Sequence, residues 1–298
     1  MNKFAVKTVR RVALLVLSLL LLSLSATIGV AQTGAGTAPA PAKPQAQAPA
    51  SKTADPAPRG TESLVDSTIA NDPGVDKMLD AYSPKVRELE VVVGKLNGEL
   101  KKTGVGAGGL GNFVSDGMRA QATLKLGKPI DLAVMNGGGL RRNTIGEGEL
   151  RARDIFELLP FENALVTLEL NGEQLLKLLG VVISSREAQS GARITYRTKA
   201  DRSAELETAK LLDENRQEKN IDPAAIYTVV TIDYLINVGG ARYAVLREGK
   251  NLKPMGITLR DAMIAHVKSE TAAGRDIKPN LDGRFILDRA NSLEAPPQ

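Results

Sequence analysis

Residues 61–298 read as a mixed α+β domain, on three observations. Apolar or alternating runs of strand length recur at 130–135, 164–170, 192–197 and 225–233. Between and beyond them, apolar residues fall at helical spacing, as at 152–159, 173–185 and 258–271. The two kinds of segment alternate irregularly, with hairpin-like strand neighbours, which favours α+β over a doubly wound parallel sheet.

The first 60 residues carry a different composition. Residues 1–31 hold Lys3, Lys7, Arg10 and Arg11 and no acid, then an apolar stretch ending in Gly29-Val30-Ala31. A basic start, an apolar centre and small residues at the end define an export signal. The apolar stretch approaches spanning length, so the chain would meet a membrane only if that signal stayed uncleaved. Residues 32–60 are mostly Ala, Pro, Gln and Gly, a composition that cannot bury a core and reads as a disordered tether. The expected location is periplasmic or secreted.

Charge and cysteine content narrow the function classes. The formal net charge is +5, but residues 1–31 contribute +4 and residues 32–60 contribute +2, which leaves 61–298 at −1. Aromatic residues are 3% and are not interleaved with basic runs, so a nucleic-acid partner is not indicated. With no cysteine there is no disulfide, lipid-anchor site or thiolate chemistry.

Within the domain, Val75, Met78, Leu79, Tyr82, Val86 and Leu89 predict an amphipathic helix that Pro84 would kink. Its apolar flank would be an exposed patch of the kind that marks interfaces. The run Gly104-Val105-Gly106-Ala107-Gly108-Gly109-Leu110-Gly111 contains G-x-G-x-x-G twice, yet Glu99-Leu100-Lys101-Lys102-Thr103 before it is no hydrophobic strand. A flexible loop is expected there, ahead of a helix opening near Asn112, with Asp116 in its first turn where a carboxylate suits the dipole. The strand at 130–135 runs into Asn136-Gly137-Gly138-Gly139-Leu140-Arg141. Glycines let backbone N–H groups converge on a ligand, and arginine offers planar donors to phosphate or carboxylate. The same residues also suit a tight turn carrying a surface arginine. Further on, Asp154 suits a helix start, Pro160 a helix stop, and Thr258-Leu259-Arg260-Asp261 a capping box.

The Asn136–Arg141 motif, followed by Asp154, Leu159-Pro160-Phe161-Glu162-Asn163 and Leu170-Asn171-Gly172, resembles the C-terminal domain of 5′-nucleotidases. Upstream, Gly111-Asn112-Phe113-Val114-Ser115-Asp116-Gly117-Met118-Arg119 is similar to the helix that opens that domain. Downstream, residues 227–233, Gly239-Gly240 and Asp282-Gly283-Arg284 are similar to its closing segments. The resemblance runs from about residue 65 to about residue 287 and implies a layered α/β/β/α sandwich.

It also implies a substrate-binding role: arginines for the phosphate, two aromatic rings around the base, and an aspartate near the ribose. Arg141 and Asn136, with Gly137, Gly138 and Gly139, match the phosphate motif, and Arg186 lies in the region that brings a second arginine. Ser185-Arg186-Glu187-Ala188 stands where one aromatic is expected. Tyr234 matches the other, although the spacing to Gly239-Gly240 is one residue longer than usual. Ala241 and Arg242 replace an aspartate and a glycine before Tyr243. Phe161 and Asn163 are assigned to structure, Phe161 to the core.

No catalytic residue is expected in this chain. His266 is the one histidine, in a helical context typical of packing, and no serine sits in a nucleophile elbow. A di-metal hydrolase centre draws several ligands from His and Asp, so no cofactor or metal site is expected here. Divalent metals are expected only in a partner metallophosphatase. The resemblance implies an exported substrate-binding domain of a split 5′-nucleotidase-like phosphohydrolase, taking a nucleotide or related phosphoester. A non-catalytic binding protein for a phosphorylated ligand, or a scaffold without ligand, are the alternatives.

Overall fold

The most apolar strand segments pair with one another at the centre of the domain. In the computed structural model, which describes residues 62, 64–213 and 215–292, strand Ile226–Ile232 lies between Ala164–Asn171 and Leu132–Met135. Adding Lys250–Thr258 on one edge and Ala188–Ser190 on the other completes a five-stranded sheet. The Ile226–Ile232/Leu132–Met135 pair is parallel and the other pairs are antiparallel. Asp131 fixes the parallel register, since its Oδ2 accepts from Thr228 N at 2.7 Å while its own N–H donates to Thr228 O at 2.9 Å. A four-stranded sheet follows the order Glu218–Asn220, Ala204–Leu212, Ala192–Thr198, Phe285–Leu287. The α+β class is as the sequence predicts.

Helices cover these sheets. Gly108–Leu126 packs on Leu132–Met135 and Ala188–Ser190 and against the last helix, Leu259–Ala272. Gly172–Ser184 touches both Ala164–Asn171 and Ala204–Leu212. Leu110, Met118, Leu132, Met135, Leu165, Leu175, Leu178, Val229 and Met263 share one fully buried core. The caps are local: Asn171 Oδ1 accepts from Gln174 N at 2.9 Å and Thr258 Oγ1 from Asp261 N at 3.0 Å. Asp154 Oδ2 accepts from Arg151 N at 2.8 Å, the helix-start role expected of it.

Several expectations are corrected. The glycine run at 104–111 is not a flexible loop but a packed turn, and the helix starts at Gly108, four residues before Asn112. A Cβ on Gly111 would lie 1.9 Å from Gly106 O, and one on Gly106 would lie 2.1 Å from the Phe285 ring. Asp116 sits mid-helix and chelates Arg284 through two 2.8 Å bonds. Arg284 is 4% exposed and also donates to Asp282 and Gln189 O, so it ties the last strand to the helix and the sheet edge. The segment at 75–89 is two helices, Pro73–Asp80 and Ser83–Leu89, and Pro84 sits in the first turn of the second. Neither buries a residue, which leaves Val75, Met78, Leu79, Tyr82 and Val86 exposed. The contact-defined unit that contains these elements spans Ser67–Gln298. The export signal at 1–31 and the tether at 32–60 lie outside the described residues.

Candidate ligand-binding cleft

The buried strand Leu132–Met135 delivers Asn136 into a 3₁₀ turn over Gly137–Gly139. None of the three glycines has positive φ. Their turn does not form a nest of free amides: Gly137 N donates to Glu187, Gly139 N to Asn136 O, Leu140 N to Gly137 O, and Arg141 N to Leu158 O. Gly138 N makes no hydrogen bond among the described residues and Gly138 lines the cleft, so an anion at this corner would meet that single amide and the side chains around it.

Those side chains come from other elements. The Gly172–Ser184 helix ends in a Schellman motif, with Arg186 N donating to Ile183 O at 3.1 Å and Glu187 N to Val182 O at 2.8 Å. The left-handed position of that motif usually holds glycine. Here it holds Arg186 at φ 58°. The motif turns Arg186 and Glu187 towards the glycine turn, and Lys102, Gly104, Asn143 and Ser185 close a cleft of about 440 Å³. Lys102 is held there by the bond from its N–H to Asn143 O at 2.8 Å, and its Nζ donates to Leu140 O at 3.1 Å.

Glu187 lies on the cleft floor, 6% exposed. Its Oε2 accepts from Gly137 N at 2.6 Å, and its Oε1 accepts a short bond from Tyr243 Oη. Burial pushes the Glu187 carboxyl above its ordinary range, against the opposing pull of Tyr243, Gly137, Arg242 and Lys102. Burial and the neighbouring Glu187 push the Tyr243 phenol up. Arg242 reaches the rim, where Nη1 donates to Ser185 Oγ at 3.3 Å. Lys102 and Arg242 thus act on one carboxylate while Arg186 lines the same cleft, yet none of the three forms an ion pair among the described residues, and the Arg186 guanidinium makes no hydrogen bond there either. The local balance is two positive charges in excess.

The structure brings together Gly137, Gly138 and Arg186 as cleft lining, with Tyr243 behind Glu187. Asn136 and Gly139 lie in the same turn, and Asn136 Oδ1 is buried without a partner among the described residues. Arg141 does not line the cleft. It is exposed, with its guanidinium 5.8 Å from the centre of the Phe161 ring. Phe161 is 48% exposed rather than core, because it sits in the bend between helix Ala152–Leu158 and strand Ala164–Asn171, where the Arg141 guanidinium lies over its ring. Tyr234, Gly239 and Gly240 do not line the cleft. A Cβ on Gly239 would meet Leu235 O at 2.5 Å and the Tyr243 ring at 2.6 Å, so Gly239 lets Tyr243 pack. Lys102, Asn143 and Glu187 were not singled out as ligand-binding residues in the sequence. The replacement of an aromatic by Ser185-Arg186-Glu187-Ala188 was the signal that could have marked Glu187.

The donor set does not suit a metal centre. Among the described residues no three His, Cys, Asp or Glu side chains converge, and His266 packs 6.3 Å from the Phe113 ring with its basicity lowered by burial.

The described residues thus form a mixed α+β domain with a glycine turn beside a cleft lined by Lys102 and Arg186. The family model described as 5′-nucleotidase, C-terminal domain matches residues 89–248, and the chain belongs to that family. It is similar to endonuclease YhcR of Bacillus subtilis, 30% identical over 193 residues, covering 63% of this chain and 14% of that protein. Protein UshA of Yersinia enterocolitica is 30% identical over 172 residues, covering 56% of this chain and 29% of UshA. Among solved structures, a 5′-nucleotidase precursor from Thermus thermophilus shares the fold with TM-score 0.60 and 24% identity, over 72% of this chain and 42% of that one. The chain thus spans less than half the length of these relatives.

Proposed function

We propose that this protein is an exported ligand-binding domain for a phosphate monoester, a nucleotide or a related phosphoester, working with a separate metallophosphatase that supplies the hydrolytic chemistry. The observation that carries the proposal is the cleft's unpaired charge: Lys102 and Arg186 line it, Arg242 stands at its rim, and Glu187 is the single acid among the lining residues. Unpaired cations at a cleft are costly to hold together, and an anion relieves their repulsion through charge-assisted bonds.

Arg141, outside the cleft and over Phe161, extends the proposed site as a fourth cation. The chain's own residues bind and orient the ligand. They supply no nucleophile, and no step through a metal is assigned to them. A thermal-shift screen of the protein against phosphate, sugar phosphates and nucleotides tests binding. Turnover measured with and without this chain, using a metallophosphatase encoded beside it, tests the partnership. Stabilisation by phosphate monoesters and raised turnover are expected. No stabilisation by any phosphorylated compound would refute the binding role.

A further inference from the structure

Resting on the anion-binding role proposed above, we propose that Glu187 makes the cleft selective for phosphorylated polyols, a sugar phosphate free or within a nucleotide, over phosphate esters that carry no hydroxyl. Glu187 is the one acid among the residues lining the cleft, and the cations around it leave it without an ion pair among the described residues. Each of its oxygens accepts one bond, from Gly137 N or from Tyr243 Oη. A carboxylate oxygen has room for a second donor, so the side facing the cleft retains acceptor capacity.

The surroundings restrict what that donor can be. Lys102 and Arg242, which act on the carboxylate, disfavour a metal ion or an ammonium group beside Glu187, so the donor must be neutral. It must also travel with an anion, because those cations hold the rest of the ligand. A hydroxyl one or two carbons from a phosphate meets both demands. An ester without hydroxyls would place an alkyl group against a desolvated carboxylate and leave that acceptor unmatched, which costs affinity. The two bonds from Gly137 and Tyr243 fix the carboxylate in advance, so little ordering is needed on binding.

Calorimetric titration of the purified full chain at neutral pH with glycerol 3-phosphate and with propyl phosphate tests this. The two probes match in carbon number and charge and differ in hydroxyls. Wild-type protein is expected to bind glycerol 3-phosphate about tenfold more tightly or better, the size of a hydrogen bond to a charged acceptor. In Glu187→Gln that ratio should fall towards one, with propyl phosphate binding more tightly because a negative charge has left the cleft. Equal binding of both probes by wild-type protein overturns the inference while leaving the anion cleft standing, and this comparison needs no variant. Tightening of both probes by the same factor in Glu187→Gln also overturns it, since Glu187 would then be a structural brace. Failure of both probes to bind overturns the anion cleft, and the role of Glu187 with it.

Discussion

Replacing Arg186 by glycine should raise stability and lower ligand affinity at once. Arg186 occupies the left-handed position of the Schellman motif at φ 58°, where a side chain costs about 1–2 kcal/mol and glycine costs nothing. Glycine also loosens the unfolded chain, which returns about 0.4–1 kcal/mol. The difference is a net gain of about 0–1.6 kcal/mol, centred near 1 kcal/mol, which is about 2–4 °C in melting temperature for a domain of this size. No hydrogen bond or ion pair is lost, because the guanidinium makes none among the described residues. On the ligand side, removing a charge-assisted contact to phosphate should cost about 1.5–3 kcal/mol, about tenfold or more in affinity. Calorimetric melting and a titration with AMP measure both quantities on the same samples. Arg186→Ala, which keeps the strain, should lose affinity without the stability gain. An Arg186→Gly protein that binds AMP as well as the wild type does would refute the ligand role of this strained arginine.

Other predictions concern different parts of the fold. Arg141→Ala should weaken AMP binding less than Arg186→Ala does, because Arg141 lies over Phe161 outside the cleft; the reverse order on titration would move the site. Arg284→Met should cost about 3–5 kcal/mol in urea unfolding, since it leaves Asp116 without its ion-pair partner and Asp282 with Arg216 alone. Burial alone would raise the Asp282 carboxyl, but the bonds and charges of Arg284 and Arg216 outweigh it and hold the group down to about 2. A depressed carboxyl stabilises the fold above its ordinary range near 3.8 and loses that contribution as pH falls towards about 2. Its size is roughly 2 kcal/mol, and Asp282→Asn should flatten the unfolding free energy over that window. Gly111→Ala should destabilise by at least about 1–3 kcal/mol, because its Cβ would lie 1.9 Å from a carbonyl oxygen.

How much of this was legible in the sequence depended on how local each cause was. Strands Ala164–Asn171, Ala192–Thr198 and Ile226–Ile232 and the helices with capped ends declare themselves through period and cap chemistry within the segment. Strand Ala204–Leu212 does not: Ala204-Glu205-Leu206-Glu207 and Ala209-Lys210-Leu211-Leu212 are helix formers, and only pairing with Ala192–Thr198 makes the segment extended. Strand Lys250–Thr258 hides behind two lysines and Pro254, residues that suit a sheet edge. The glycine run at 104–111 looked mobile because glycine count says nothing about the Phe285 ring and the helix backbone packed against it.

The site shows the same division. The glycine turn and the Arg186 region were recognisable as motifs. Lys102 and Asn143 meet at the cleft only because Leu100–Lys101 pairs with Thr144–Ile145, a two-residue ladder too short to leave a pattern. Glu187 and Tyr243 are 56 positions apart and join through a helix cap and a 3₁₀ turn. Such a bond is set by tertiary packing alone.

The central claim, that a phosphate monoester occupies the cleft between the glycine turn and the Arg186 cap, is tested most directly by amide nuclear magnetic resonance with AMP as titrant. Saturable shifts should concentrate at Lys102–Gly104, Gly137–Gly138, Asn143 and Ser185–Glu187. Shifts centred instead on the separate cavity bounded by Arg197, Asp201 and Asn291, or no saturable shift at all, would contradict it.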